Sequence, residues 1–360
     1  MNDKTFELLH LLSIDKLTPK NLHLLLEEFG TPQSIISAPL SALARLVSHE
    51  TAEEITSYSL TDGLRHKERL IMGKDIKISP YYSSEYPQWL RRIDDFPPVL
   101  FVRGSILPED ELSVAVIGTR SATVYGKEIA RNFAAEFAGA GVTVISGMAR
   151  GVDTAAHHGA LQNNGRTLAV LGSGIDVCYP PENRQLMEDI SRSGAVISEF
   201  NVGTPPFAYN FPRRNRVVSG LAKAVIAIEA KEKSGVMNTV TWALDQNKEV
   251  FAVPGNIYAK TSHGTNRLIK EGAIPVTSPN EVMDYLGLTH ARNEKATREI
   301  LLDEAERNVW EGLSSEPIYL DTLAEKVNEP TSTLLNILLK LEMKGYVKQL
   351  PGMSFVKNLE

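Results

Sequence analysis

The sequence of 360 residues contains a single cysteine, Cys178, so neither an intrachain disulfide nor a cysteine-rich metal cluster can form. No apolar run reaches the roughly 18 residues that a membrane span requires. The first residues also lack the basic stretch and the long apolar core of a signal peptide. We therefore expect a protein of the reducing cytoplasm that has no membrane partner.

Excess positive charge is absent as well, because 38 Lys and Arg residues face 44 Asp and Glu residues, a formal net charge of −6. A nucleic-acid partner would have to bind a local patch. The P-loop pattern is missing, since Gly126-Lys127 is followed by Glu128, and Gly172-Ser173-Gly174 lacks the third glycine of a dinucleotide fingerprint. No spaced set of carboxylates indicates a two-metal nuclease. The sequence predicts no cofactor, no metal and no enzymatic activity.

The pattern of apolar residues divides the chain into four segments. Residues 1–75 read as a small helical domain, and residues 76–288 as an extended lead-in followed by apolar runs that alternate with helical stretches. Residues 289–298 are a polar linker, and residues 299–360 predict a winged helix. The fold class is α/β, an extended Rossmann-like parallel sheet covered by helices. The predicted strands are 114–117, 142–145, 168–171, 195–197, 225–228, 250–253 and 274–276.

Several of these runs end in small or polar residues, such as Gly118-Thr119-Arg120, Ser146-Gly147 and Gly172-Ser173-Gly174. In an open parallel sheet the carboxyl ends of the strands share one edge, where ligands bind. A single glycine there commonly just lets a strand turn into a helix. Several on one edge favour a ligand cleft.

The strongest local signal is the segment Phe211-Pro-Arg-Arg-Asn-Arg216, within a stretch from Ala208 to Lys223 that holds four cations and no acid. Three arginines in four positions create a positive field, and the arginine fork matches phosphate oxygens. If the segment opens a helix, the amides of that helix end also attract anions. The alternative is a solvated basic turn that pairs with Glu199 or Glu229.

Two further arginines point to the same edge, because Arg120 follows the first strand of the alternating region and Arg150 follows the second. Together with the arginine cluster they describe a groove that suits a sugar-phosphate backbone. Phe211 is placed to stack on a base, although an aromatic residue before proline is often core. Asp153 and His157 share a helix face, but no nucleophile accompanies them, so a structural role is favoured.

The order of these motifs resembles that of the DNA-processing protein A family, also called DprA or Smf. The matching segments are Ile117–Arg120, Tyr125-Gly126, Ser146–Asp153, Leu171–Asp176, Tyr179–Asn183, Phe211–Arg216, Glu229-Ala230, Ser234-Gly235 and Phe251–Gly255. The resemblance implies an extended Rossmann-like domain that binds and shields single-stranded DNA without strong sequence preference. It also implies a homodimer, and a partnership with the recombinase RecA, which such proteins load onto single strands in natural transformation.

The resemblance also implies roles for individual residues. Phosphates would be held by Arg120, Arg213, Arg214 and Arg216, with Arg150 nearby. The strand would approach the backbone closely at Ser146, Gly147, Gly172, Ser173 and Gly174. Phe211 and Asn215 would contact a base or shape its pocket. Four arginines, each neutralising one phosphate, predict a single-strand salt slope of about −3.

Two segments depart from the family pattern. The first N-terminal hairpin, Ser13–Lys20, has no glycine, which favours a scaffold over a DNA contact. Residues 296–360 hold 7 basic and 11 acidic residues, and the would-be recognition helix is rich in leucine, so packing or a protein partner is favoured there. The rival functions are a small-nucleotide sensor and a phosphoribohydrolase-like enzyme, although Ser234–Trp242 lacks the carboxylate that such enzymes carry.

Overall fold

The structure, a computed structural model, describes residues 3–14, 16–57, 75–162, 164–288, 304–314, 317–344, 346–350 and 352–357. The chain forms two compact units, Met1–Asn293 and Glu294–Glu360. The linker expected at residues 289–298 lies outside the described residues. The α/β fold class, with a helical N-terminal part and a winged helix, is confirmed.

Among the residues described before the sheet, the short helices are α1 (Asp3–Leu11), α2 (Pro19–Phe29), α3 (Pro32–Ile36), α4 (Leu40–Leu43) and α5 (His49–Thr56). Thr18 caps α2 by accepting a hydrogen bond from the Asn21 N–H at 3.2 Å. Their apolar faces share one core with residues of the sheet, including Phe101 and Ala169. His23 Nε2 also donates to the Phe96 carbonyl at 2.7 Å. These helices therefore pack on the sheet as part of the same compact unit.

Nine strands form one mostly parallel sheet. In chain order they are β1 (Lys77–Pro80), β2 (Val99–Gly104), β3 (Ser113–Ile117), β4 (Thr143–Ser146), β5 (Thr167–Val170), β6 (Ala195–Ser198), β7 (Ala224–Ala227), β8 (Glu249–Ala252) and β9 (Ile274–Pro275). Their order across the sheet is β1-β2-β6-β5-β4-β3-β7-β8-β9. Strand β2 is antiparallel to both neighbours, and all pairs from β6 to β9 are parallel. The seven predicted strands are all present, within a residue or two of their expected ends.

Helices cover both faces of the sheet. They are α6 (Val124–Gly139), α7 (Val152–Gln162), α8 (Arg184–Ser193), α9 (Asn210–Leu221), α10 (Gly235–Asp245), α11 (His263–Lys270) and α12 (Pro279–Tyr285). Because side chains alternate along a strand, Val114 and Val116 of β3 join the core beneath α6 and α7, whereas Ala115 and Ile117 join the core beneath α9 and α10.

The C-terminal unit contains α13 (Glu304–Gly312), α14 (Leu320–Val327) and α15 (Thr331–Met343), with a small sheet of β10 (Ile318–Tyr319), β11 (Val347–Leu350) and β12 (Ser354–Lys357). Most leucines of α15 pack inward in the core of this unit, whereas Leu335 and Leu339 are exposed. Among the described helices, none has the length and apolar character needed to cross a membrane.

Candidate nucleic-acid interface

A cleft of about 410 Å³ opens at the carboxyl ends of the central strands. It lies where the chain order reverses, because β3 has β4 on one side and β7 on the other. Open α/β sheets bind ligands at such a switch point. The residues that line it come from the loops after β3 and β4 and from the starts of α9 and α10. They are Ile117–Arg120, Gly147, Ala149, Asp153, Ala208, Phe211, Pro212, Arg214, Asn215, Val218, Ser234–Val236 and Thr239.

Arg120 and Phe211 form the mouth of the cleft. The Arg120 guanidinium carbon lies 4.9 Å from the centre of the Phe211 ring, which is the arrangement of a cation–π pair. Tyr179 packs on the same ring with a centroid distance of 5.6 Å. Arg120 is exposed and has no ion pair among residues that the structure describes. Its charge is therefore open to an incoming anion.

The loop that carries Arg120 is held by Glu229, a contact that the sequence analysis missed. The buried Glu229 carboxylate accepts hydrogen bonds from the Thr123 N–H at 2.9 Å and the Thr123 hydroxyl at 2.7 Å. The Glu229 carbonyl accepts the Thr119 N–H at 2.8 Å. Gly126 leaves room for this carboxylate, since a Cβ there would lie 2.3 Å from Glu229 Oε2. Glu229 thus positions the Arg120 loop and does not pair with the basic segment.

Arg214 is a buried cation in the floor of the cleft. Its guanidinium donates to the Gly147 carbonyl at 2.6 Å and also to the Val170 carbonyl. Burial lowers the pKa of Arg214 to about 10, against the opposing effect of the Asp153 carboxylate. The group remains protonated at neutral pH, so it contributes positive field beneath the cleft.

The expectation that Arg216 holds a phosphate is corrected by its burial. Its side chain is 1% exposed, and its guanidinium pairs with Glu199 at 2.8 Å and with Asp95 at 2.9 Å. Arg213 also donates to Glu199, at 3.1 Å, but its side chain remains 41% exposed. The alternative that the basic segment pairs with Glu199 is therefore correct for two of the three arginines. Arg216 ties α9 to the protein interior.

Arg150 and Asn215 lie at the sides of the cleft. Arg150 is exposed and forms an ion pair with Glu182, in which its Nη2 lies 3.0 Å from Oε2. It borders a shallow depression together with Arg120 and Phe211. Asn215 accepts a hydrogen bond from Arg214 Nε at 3.2 Å and donates to Asn238 Oδ1 at 3.1 Å. Arg150 is available to a ligand only if it releases Glu182.

The serines and glycines expected to meet the strand pack against the protein's own groups, although Gly147 also lines the cleft. Ser146 donates to the Val116 carbonyl at 2.7 Å, and Ser173 donates to the Val177 carbonyl at 2.8 Å. A Cβ on Gly147 would lie 2.5 Å from Arg214 Nη2. On Gly172 it would lie 2.8 Å from Phe211 Cδ1, and on Gly174 it would lie 2.7 Å from the Asn201 carbonyl oxygen. Because these glycines have no side chain, the protein's own side chains and backbone can pack closely against them.

The Asp153–His157 pair lies beside the floor of the cleft. Burial raises the pKa of Asp153, whose carboxylate accepts the Ala149 N–H at 3.3 Å. Burial lowers the pKa of His157 to about 3, and its Nδ1 bonds the Thr167 hydroxyl at 2.7 Å. A neutral imidazole with this pKa is poorly matched to proton transfer near neutral pH, which agrees with a structural role.

The start of α10 supplies polar groups on the far wall. Ser234 precedes the helix in an extended conformation, and its hydroxyl has no partner among the residues that the structure describes. A Cβ on Gly235 would meet nothing within 4 Å. The start of α10 therefore borders open space, and helix starts of this kind attract anions.

These features define an extended Rossmann-like α/β protein with a cationic, aromatic cleft at its switch point, followed by a winged helix. Residues 77–287 match the family described as DNA recombination-mediator protein A, and residues 293–353 match the DprA winged helix domain. The chain belongs to the DNA recombination-mediator protein A family, and the resemblance inferred from the sequence is confirmed.

Individual relatives agree with this membership. The chain is 38% identical to protein Smf of Escherichia coli over 281 residues, which are 76% of this chain and 75% of that protein. It is 40% identical to the DNA processing protein DprA of Streptococcus pneumoniae over 198 residues, 55% of this chain and 70% of that protein. The structure of DNA processing protein A from S. pneumoniae matches with a TM-score of 0.69 at 31% identity, and covers 79% of this chain and 98% of that one. A structure that concerns the single-stranded DNA binding mode of DNA processing protein A from Helicobacter pylori matches with a TM-score of 0.53 at 31% identity, over 58% of this chain and 95% of that one.

Proposed function

We propose that the cleft binds single-stranded DNA without strong sequence preference. The observation that carries the proposal is the Arg120–Phe211 pair at the cleft mouth, which places a free cation and an aromatic ring within reach of one nucleotide. The cation suits a phosphate and the ring suits a base of any identity. The start of α10, where Ser234 and Gly235 line the cleft, adds a helix end that attracts anions on the opposite wall. The single-strand binding of the H. pylori relative supports the same ligand class here.

Single strands should bind better than duplex. Phe211 is partly buried between Arg120, Tyr179 and the floor of the cleft, so a base must turn inward to reach its ring. A duplex holds its bases stacked and paired, and turning one out costs a few kcal/mol. A single strand has no base pair to break, so turning a base inward costs less free energy.

We further propose that the chain shields the bound strand and loads RecA onto it during natural transformation in the cytoplasm. Membership in the DNA recombination-mediator protein A family supports this proposal. A homodimer would present two clefts to one strand, and the second contact would then form at a high effective concentration.

Binding is favoured over hydrolysis for this cleft. Among the lining residues that the structure describes, Asp153 alone carries a carboxylate, and this group is buried and accepts a hydrogen bond from the Ala149 N–H. The rival functions, a nucleotide sensor and a phosphoribohydrolase, would use the same Arg120 region. They predict saturable binding of nucleoside monophosphates, and the enzyme also predicts release of a free base.

The test is fluorescence anisotropy with a labelled oligo-dT in competition with unlabelled oligo-dT, duplex DNA and nucleoside monophosphates. We expect displacement by single strands at concentrations at least tenfold below those of duplex, nuclease protection of the bound strand, and faster RecA filament assembly. Arg131→Ala, which removes an exposed arginine of α6 outside the cleft, is the matched control for Arg120→Ala. Preference for duplex would contradict single-strand binding, and free-base release would favour the enzyme.

A further inference from the structure

We propose that Phe207 and Tyr209 form a second base-stacking site, outside the cleft, for a nucleobase of the strand that the cleft holds. This inference rests on the proposed single-strand binding. The subsite lies on the segment between β6 and α9, which precedes the basic segment Phe211–Arg216 in the sequence.

The two rings are stacked on each other and face solvent. Their centroids lie 5.3 Å apart with an angle of 12° between the ring planes. Phe207 is 45% exposed and Tyr209 is 70% exposed. A core role does not account for this exposure, because a core residue would be largely removed from solvent. Flat aromatic surfaces presented to solvent are the groups on which bases of single strands stack.

The pair is continuous with the cleft. Ala208, which separates the two rings in sequence, lines the cleft itself, and neighbouring Cα atoms lie only about 3.8 Å apart. Phe211 follows within the first turn of α9. A strand whose base rests on Phe211 therefore leaves the cleft beside Tyr209, and its next base has a ring within reach.

The segment is held in one conformation by its own hydrogen bonds. The Phe207 N–H donates to the Pro205 carbonyl at 2.8 Å, and the Asn210 N–H donates to the Phe207 carbonyl at 3.0 Å. The side chain of Asn210 is buried and donates to the Pro205 carbonyl at 3.4 Å. Phe207 and Tyr209 together are called the platform. Because the platform is already rigid, it loses little conformational entropy on binding, so the stacking contact should strengthen binding measurably.

Charge near the platform fits the same ligand. The exposed part of Arg213 lies on the first turn of α9, and its Glu199 partner is also held by the buried Arg216. Arg213 can turn toward a phosphate while Glu199 keeps its partner Arg216. The occupant that matches two flat rings beside a cation is a nucleotide of single-stranded DNA.

The test compares wild type with the double variant Phe207→Leu/Tyr209→Leu, using oligo-dT of about 12 nucleotides, a length in the range that OB-fold single-strand binders cover. Leucine keeps an apolar side chain but removes the aromatic ring. Because both positions are exposed, we expect the double variant to fold as wild type does. We expect affinity to fall about five- to a hundredfold, the range that base stacking gives, with an unchanged salt slope because no charge is removed. Tyr209→Trp should keep the wild-type affinity. Tyr285→Leu, at an exposed tyrosine of α12 that does not line the cleft, is the control and should bind as wild type does.

An abasic scan of the oligonucleotide then identifies the base. At one position, loss of the base should weaken wild type and leave the double variant unaffected, which isolates the coupling between ring and base. Wild-type binding with no loss in the double variant would overturn the platform and leave the cleft function intact. The platform would also be overturned if the double variant binds more weakly but still loses affinity at every abasic position where wild type does. Failure of wild type to bind oligo-dT at all would overturn the proposed function, and the platform with it.

Discussion

The Arg120 guanidinium lies over the Phe211 ring at 4.9 Å, and the two residues reach this contact from different elements. Arg120 stands on the loop after β3, which Glu229 fixes, whereas Phe211 stands on α9, which Arg216 anchors. The pair therefore depends on two buried carboxylates, Glu229 and Glu199. The cation and the ring sit where one nucleotide can use both.

Gly172 controls the position of the Phe211 ring. A Cβ at Gly172 would lie 2.8 Å from Cδ1 and 3.0 Å from Cε1 of that ring, so Gly172→Ala must push the ring outward. We expect this variant to weaken oligo-dT binding about fivefold or more, at the lower end of what base stacking contributes. Phe211→Leu should weaken binding similarly. Anisotropy titration measures both, with circular dichroism to check the fold.

Gly235→Ala serves as the matched glycine control for folding, because its added Cβ meets nothing within 4 Å. Its unfolding midpoint should match that of wild type. If Gly172→Ala binds oligo-dT as wild type does, the ring is not a contact for the strand.

The buried Arg216–Glu199 pair should matter for stability. Arg216→Leu leaves the Glu199 carboxylate, whose side chain is 3% exposed, with Arg213 as its one remaining cationic partner among the described residues. Breaking a buried pair in this way costs roughly 3–5 kcal/mol. We expect urea unfolding to show a loss in that range for the Met1–Asn293 unit.

Arg267→Leu breaks an exposed pair with Glu271 that spans 2.7 Å, and it is the control. Exposed pairs contribute little to stability, so the unfolding midpoint should stay close to that of wild type. Equal effects of the two substitutions would show that Arg216 is not a structural anchor.

His157 predicts a specific loss of stability in acid. Burial lowers its pKa to about 3 from an ordinary value of 6.5. Below pH 6.5 the unfolded chain takes up a proton at this position and the folded chain does not, so the stability present at neutral pH declines as pH falls toward 3. One such proton changes the free energy of unfolding by roughly 1.4 kcal/mol per pH unit.

His157→Gln removes the titrating group and keeps a side chain that can bond the Thr167 hydroxyl. Its free energy of unfolding should therefore fall less steeply between pH 6 and pH 4 than that of wild type. Urea unfolding at a series of pH values measures both slopes. Identical slopes would show that His157 does not titrate on unfolding.

The strands were predictable because each is a short apolar run between helical stretches, as with residues 225–228 before the helix that starts at Gly235. The roles of the arginines were harder to predict, because nothing in the local sequence distinguishes Arg213, Arg214 and Arg216. Helical geometry separates them: positions three apart share a face, so Arg213 and Arg216 both reach Glu199 while Arg214 points into the floor of the cleft. Asp95, the second partner of Arg216, comes from the lead-in and leaves no local signal.

The burial of Arg216 and Arg214 also changes the expected number of phosphate contacts. Of the five arginines expected to meet the strand, the exposed ones are Arg120, Arg150 and Arg213. Three contacts predict a single-strand salt slope of about −2, smaller than the −3 that four arginines would give.

The most direct test of the account is the salt dependence of oligo-dT binding for wild type, Arg120→Ala and the control Arg131→Ala. We predict a wild-type slope of log K against log salt near −2, with a decrease in magnitude of about 0.7 for Arg120→Ala and none for Arg131→Ala. Weaker binding by Arg120→Ala should accompany the smaller slope. An Arg120→Ala protein with the affinity and slope of wild type would contradict the claim that this cleft holds the phosphates of a single strand.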